Sequence, residues 1–170
     1  MTRMTHMTDM TAGTVTTTDT QHAPRYLEPG WFTRNVFNRL MGRLAKWGVS
    51  VWGSRQLAVR GRTSGEWRTT PVNPLDFDGG RYLVAPRGTT HWVRNIRVAG
   101  TAELRLGRKV EPIAVVELAD ADKPAVIREY LRRWKAEVGQ FFDGINERST
   151  DDELLAVAAG FPVFRILPAP

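Results

Sequence analysis

The stretch GRTSGEWRTTP, residues 61–71, connects two strand-like runs and combines glycines, hydroxyl side chains and arginines. Gly61 and Gly65 can adopt positive φ, so that several backbone N–H groups face one point. Arg62 and Arg68 supply forked donors that suit phosphate or carboxylate oxygens. The stretch therefore predicts a β-hairpin whose turn binds an anion. The alternative is an ordinary hairpin with solvated arginines.

Strand patterns continue on both sides of this turn. Residues 56–61 and 67–77 form the predicted hairpin, and residues 81–85 add a third strand after a glycine-rich turn. Proline cannot donate to a β-ladder, so Pro71 and Pro74 predict an edge, a bulge or a bend in the second strand. Such a strand leaves room for a ligand to approach the backbone.

The rest of the chain adds strands and helices. Residues 102–106 and 110–118 predict two strands, and 161–167 predicts the last one. Asp120 is predicted to cap a helix, and a shorter helix is predicted over 150–159. Five or six antiparallel strands with flanking helices predict an α+β, mainly β fold that forms a closed or partly closed barrel.

A second loop repeats the chemistry of the first. Residues 86–90, PRGTT, again combine an arginine, a glycine and hydroxyls, and a short helix is predicted over 91–99. If the two loops lie together, Arg62, Arg68 and Arg87 converge on one anion. The helix N-terminus then adds N–H donors and a favourable dipole.

Two side chains of this short helix suit a cofactor. Trp92 is placed to stack on a ring, and Asn95 to hydrogen-bond a carbonyl. The alternative for Trp92 is a place in the core.

Length and composition predict one domain, residues 25–170, because 170 residues at 42% hydrophobic content can bury a core. Residues 1–24 are rich in Thr and Met and are predicted to be a disordered tail. Residues 28–47 predict an amphipathic helix with arginines on its polar face. This helix either docks on its own domain, lies on an anionic membrane surface, or covers the entrance for a nonpolar acceptor.

Charge and residue usage exclude several kinds of site. The formal charge of +6 suits an acidic partner: nucleic acid, an anionic cofactor or a membrane surface. The chain has no cysteine, which excludes thiolate zinc sites and fits a cytoplasmic location. His91 is the only histidine of the predicted domain, so we predict no metal site and no Ser-His-Asp arrangement. If the protein is an enzyme, a cofactor is expected to carry the chemistry.

Three motifs occur in a fixed order between about residues 52 and 118. They are the 61–65 turn with Arg68 and Pro71, the strand end 82–85 before Arg87 and Gly88, and the sequence WVRNI at 92–96. Together they resemble the deazaflavin-dependent nitroreductase family of the split β-barrel flavin and deazaflavin oxidoreductases.

The resemblance implies an FMN-binding-like split β-barrel that binds coenzyme F420, an 8-hydroxy-5-deazaflavin with a phosphate and an acidic oligoglutamate tail. It implies hydride transfer to a small electrophilic acceptor such as a quinone, enone or nitro compound. Only residues 89–91 separate Gly88 from Trp92, where the characterised nitroreductases carry a longer insertion, so the acceptor is not assigned. The cofactor-binding residues that the resemblance implies are Arg62, Thr63, Ser64, Arg68, Thr70, Pro71, Val72, Ala85, Pro86, Arg87, Gly88, His91, Trp92 and Asn95.

Alternatives stay open. One is a split barrel that binds FMN or FAD, or that binds a cofactor without catalysis. Another is a basic nucleic-acid-binding barrel, although its aromatics are expected along a strand face, whereas here they cluster in helices and turns. The favoured partner is therefore a small-molecule acceptor and not nucleic acid, with a homodimer and peripheral membrane contact as further hypotheses.

Overall fold

The computed structural model describes residues 53–142 and 144–170, which form seven β-strands and three α-helices. The predicted tail, 1–24, and the predicted amphipathic helix, 28–47, lie outside these residues. The strands are β1 Arg55–Arg60, β2 Trp67–Val72, β3 Leu75–Phe77, β4 Gly80–Val84, β5 Thr101–Leu106, β6 Lys109–Glu117 and β7 Val163–Pro168. The helices are α1 His91–Ala99, α2 Pro124–Val138 and α3 Asp151–Val157. None of these three helices has the length and hydrophobicity needed to cross a membrane.

All seven strands pair antiparallel in one sheet, in the order β2-β1-β5-β6-β7-β4-β3. The two edge strands, β2 and β3, are joined only by Asn73 and Pro74. Three peptide units span at most about 11 Å, so the opposite edges of the sheet lie close together and the sheet must curl. This curled half-barrel with flanking helices confirms the predicted mainly β, split-barrel class. It also confirms that the proline-containing strand β2 is an edge.

Two local predictions were wrong. The strand predicted over 67–77 is broken at Pro74 into β2 and β3, which makes seven strands rather than five or six. Asp120 begins a 3-10 turn instead of capping a helix, and α2 begins at Pro124. Proline has no N–H to leave unpaired and its φ suits a first helical position, which fixes the helix start there.

The sheet separates two apolar cores. The inner core lies in the hollow of the sheet and is closed by α1; its largest members are Leu57, Leu83, Ile96, Ile113 and Phe164, each at most 1% exposed. The outer core lies between the other sheet face and α2, which buries an apolar stripe: Val126, Ile127, Tyr130, Leu131 and Trp134. Helix α1 is therefore packed on the inner core, which fixes the position of the loop at its N-terminus.

The basic face of α2 is neutralised by neighbouring carboxylates. Arg128 pairs with Asp151, and Arg132 with Glu129, each at 2.6 Å between nitrogen and oxygen. Arg133 lies 3.7 Å from the same Glu129. The hydrogen bond from Arg132 lowers the pKa of the Glu129 carboxyl below its ordinary value. These arginines therefore form a solvated ion-pair face, which argues against α2 as a nucleic-acid surface.

Candidate functional site

The two basic loops leave the sheet at the same end. Strands β1 and β4 run in the same direction, because each successive pair between them in the sheet is antiparallel. The β1–β2 turn, residues 61–66, and the β4–α1 loop, residues 85–90, therefore both lie at this end, next to α1. The sequence predicted this only conditionally, since no local pattern fixes which strands are neighbours.

The β1–β2 turn is held by its own main chain. The Gly61 N–H donates to the Glu66 carbonyl, and the Gly65 N–H to the Gly61 carbonyl, both at 2.8 Å. A Cβ added at Gly61 would lie 2.9 Å from Ser64 Oγ, so this side chain would have to move to admit another residue there. Ser64 Oγ itself accepts from the Glu66 N–H at 3.3 Å. The turn is thus closed by its own hydrogen bonds, and the Ser64 hydroxyl is partly used inside it.

Asn95 ties this turn to α1. Its Oδ1 accepts hydrogen bonds from the Arg62 backbone N–H at 3.3 Å and from Arg62 Nη1 at 3.0 Å. Asn95 is only 5% exposed. The structure thus uses the Asn95 oxygen inside the protein, and direct contact of this residue with a cofactor stays a prediction.

The N-terminus of α1 is suited to an anion. Thr90 is the N-cap residue, yet its side chain makes no cap hydrogen bond, and its Oγ1 is buried with no partner in the described part of the chain. The first turn contains no acidic residue. Gly88, with φ of +75°, accepts from the Thr90 N–H at 2.8 Å and shapes the approach to the helix. The positive end of the helix dipole and an unsatisfied hydroxyl thus meet at one place.

Strand β2 places three of its four predicted residues on the inner face of the sheet. The register pairs Arg68 with Val59 and Thr70 with Leu57, so both side chains share the inner sheet face with these core residues. Val72 lies on this face too and packs against the inner core. Pro71 alternates to the opposite face, so its ring is not brought to the site.

The β4–α1 loop contributes mainly backbone. Ala85 is 1% exposed and its N–H donates to the Pro162 carbonyl at 2.9 Å. The Trp92 ring is half-buried and lies 5.7 Å from Phe164 in a tilted contact, so it packs against the inner core, as the alternative for this residue predicted. The other predicted residues of this region divide by exposure: Pro86 and Arg87 are half-buried, Gly88 is buried, and Thr63 and His91 are exposed.

Sequence reasoning missed a stacked pair beside the turn. The Arg60 guanidinium lies 4.2 Å from the centre of the Trp67 ring, and Arg60 Nη1 donates to the Gly65 carbonyl at 3.1 Å. Arg105 approaches the same ring at 5.2 Å. Arg60 and Trp67 are cross-strand partners, so counting residues outward from the turn would have found them.

A cleft of about 240 Å³ lies at the other end of the strands. Its lining residues are Gly53, Arg55, Pro74, Asp76, Arg81, Arg133 and Trp134. Arg81 donates to both carboxylate oxygens of Glu111, which raises the pKa of its guanidinium, and it lies 3.4 Å from Asp76. Arg81 in this cleft is therefore already paired with two carboxylates, and the cleft lies at the end of the strands away from the two basic loops.

The residues at the two loops fit an anionic cofactor. Arg62 and Arg68 are exposed, Arg62 contacts Asn95 of α1, and Glu66 is the single acidic residue of the loops 61–66 and 85–90. Among residues 53–142 and 144–170, no three histidines or carboxylates are grouped as a metal site requires. The donor set therefore suits the phosphate and acidic tail of F420.

Comparison with known proteins assigns the family. The sequence model of the F420H(2)-dependent quinone reductase family matches residues 32–145, which is more than half of the chain. No curated protein matches the chain.

Solved structures with similar folds have low identity. One, described as a domain-swapped dimer, is 19% identical with a TM-score of 0.49 and covers 77% of this chain and 96% of its own. An F420-H2 dependent reductase, FDR-A, is 20% identical with a TM-score of 0.45, covering 68% and 94%. A FAD-binding protein from Mesorhizobium loti is 16% identical with a TM-score of 0.43, covering 69% and 79%. At these values the assignment depends on the family match, which confirms the predicted deazaflavin-dependent relationship. The chain belongs to the F420H(2)-dependent quinone reductase family, and it is therefore an oxidoreductase that uses F420.

Proposed function

We propose that this reductase reduces a quinone and holds F420 where its two basic loops meet. The observation that supports this site is the link from Arg62 to Asn95, which brings the β1–β2 turn against the helix that begins at the second loop. The quinone is supported by the description of the family. An enone or a nitro compound is the alternative acceptor.

In this proposal the chain binds and orients, and it needs no catalytic side chain. Arg62, Arg68 and the α1 N-terminus hold the phosphate and the acidic tail, while Thr70 and the backbone of 85–88 line the remainder. When bound, reduced F420 supplies a hydride from C5, which together with one proton from water converts a quinone to a hydroquinone. Alignment of donor and acceptor by the protein can lower the activation free energy by about 7–11 kcal/mol.

A binding screen tests the site. We expect the purified protein to bind F420 more tightly than FMN, FAD or single-stranded DNA in fluorescence titrations. Affinity for F420 should fall between 50 mM and 500 mM salt, because the proposed contacts are exposed ion pairs that salt screens. Tighter binding of FMN or FAD would favour the flavin alternative, and tighter binding of DNA the nucleic-acid barrel.

Turnover with matched acceptors tests the reaction. We expect kcat/KM for menadione to exceed that for cyclohexenone and for a nitrobenzene by about tenfold or more, a difference of about 1.4 kcal/mol in transition-state binding. The rate is followed as loss of reduced F420. Faster turnover of the nitro compound or the enone would replace the quinone as the proposed acceptor.

Location and assembly are also part of the proposal. The cysteine-free sequence fits a cytoplasmic enzyme, which the distribution of the tagged protein between cell fractions checks. A homodimer is tested by sedimentation of the purified protein.

A further inference from the structure

We infer that Asn95 is a positioning residue, which fixes Arg62 in the direction that the anionic part of the cofactor requires. The inference rests on the proposed cofactor site. It differs from the role that the resemblance implied for Asn95, because it places this residue behind Arg62 rather than against the cofactor.

Burial makes the contact specific. Asn95 is 5% exposed and lies in α1 between Val93 and Ile96, both 0% exposed, which are part of the inner core. A buried amide is costly unless it is hydrogen-bonded, and the Asn95 oxygen accepts from Arg62. The arrangement is therefore stable only while the turn lies against the helix.

Two donors of one residue fix both its position and its direction. The backbone N–H of Arg62 holds the turn, and Nη1 of the same residue holds the guanidinium. A guanidinium has five N–H donors, so the remaining ones are left for a ligand. Arg60 is held differently, by the Gly65 carbonyl and the Trp67 ring.

The choice of amide over carboxylate follows from charge. A neutral acceptor orients Arg62 and leaves its positive charge available to an anion. An aspartate at position 95 would accept the same hydrogen bonds but would form an ion pair with Arg62. Asparagine thus positions the turn without neutralising the charge of Arg62.

The energetic role of Asn95 is preorganisation. The hydrogen bonds of Gly61 and Gly65 keep the hairpin turn closed without Asn95. Removing the amide therefore breaks only the contact between the turn and α1. A ligand would then have to order Arg62 on binding, which lowers affinity.

The test compares Asn95→Leu, Asn95→Asp and the control Asn146→Leu. Asn146 is matched because its Oδ1 also accepts a loop N–H, that of Arg148 at 2.8 Å, in a segment outside the proposed site. The measurements are the Kd for F420 by titration, hydrogen exchange of the Arg62 amide, and the melting temperature. We expect Asn95→Leu to raise Kd about tenfold and to speed exchange at Arg62, while Asn146→Leu changes neither.

Asn95→Asp keeps the inference falsifiable if the leucine variant does not fold. We expect it to retain slow exchange of the Arg62 amide, yet to bind F420 more weakly and with a smaller salt dependence. Unchanged affinity in Asn95→Leu, weaker binding without faster exchange, or fast exchange in Asn95→Asp would each overturn the inference. If the wild-type protein does not bind F420, the proposed site fails, while the exchange data still decide whether Asn95 positions Arg62.

Discussion

Replacing Phe164 by alanine is expected to lower the free energy of unfolding by about 3–5 kcal/mol. Phe164 is 1% exposed on β7, in the inner core under α1, and its loss leaves a cavity that the curled sheet cannot readily close. Folded domains have about 5–15 kcal/mol of stability in total, so this loss is a large share of it. Urea denaturation followed by circular dichroism measures the difference.

The same substitution links the core to the cofactor site. Trp92 on α1 contacts the Phe164 ring at 5.7 Å, so the alanine variant loosens the helix whose N-terminus faces the proposed anion. Phe164→Leu is the control, since it keeps most of the volume and is expected to cost less than about 1.5 kcal/mol. Equal stability of the alanine and leucine variants would mean that the inner core relaxes into the space.

Removing both Arg62 and Arg68 by alanine substitution is expected to weaken F420 binding about 100-fold at low salt. Each contact is taken to contribute about 1.4 kcal/mol, just below the range of about 1.5–3 kcal/mol for hydrogen bonds to charged groups, because both arginines are exposed. Isothermal titration at 50 mM salt measures the loss.

Arg132→Ala/Arg133→Ala is the matched control for this double variant. It removes the same net charge from α2, where both arginines already face Glu129, and should leave the affinity almost unchanged. If both double variants bind equally weakly, net charge rather than the two loops attracts the cofactor. The difference between them should shrink at high salt, because the contacts are screened.

The sequence predicted those elements whose signals are local. The helix over 91–99 matches the structure, since local periodicity determines it. The predicted helix start at Asp120 was wrong, because Pro124, which has no N–H and a φ that suits the first helical turn, sets the start of α2. The limits of an element are thus predicted reliably when one residue preference, and not two competing ones, marks its start.

The site was predictable in its residue types but not in its internal contacts. The basic loops could be recognised from their glycines and arginines. The Arg62 to Asn95 contact joins residues 33 positions apart and depends on the nonsequential neighbours β1 and β5 and on the packing of α1. Such contacts follow from sheet order, which pairing rules for single strands do not specify.

The two-residue connection between β2 and β3 limits the diameter of the half-barrel. Because Asn73 and Pro74 tether opposite edges, the length of this tether limits how far the hollow can open, independently of the loops at the far end. A longer connection would let β2 and β3 move apart and would widen the interior of the barrel. The present connection keeps that interior narrow enough for side chains to fill. The chain thus separates the dimension of its barrel from the chemistry of its anion-binding loops, so that each can vary without the other.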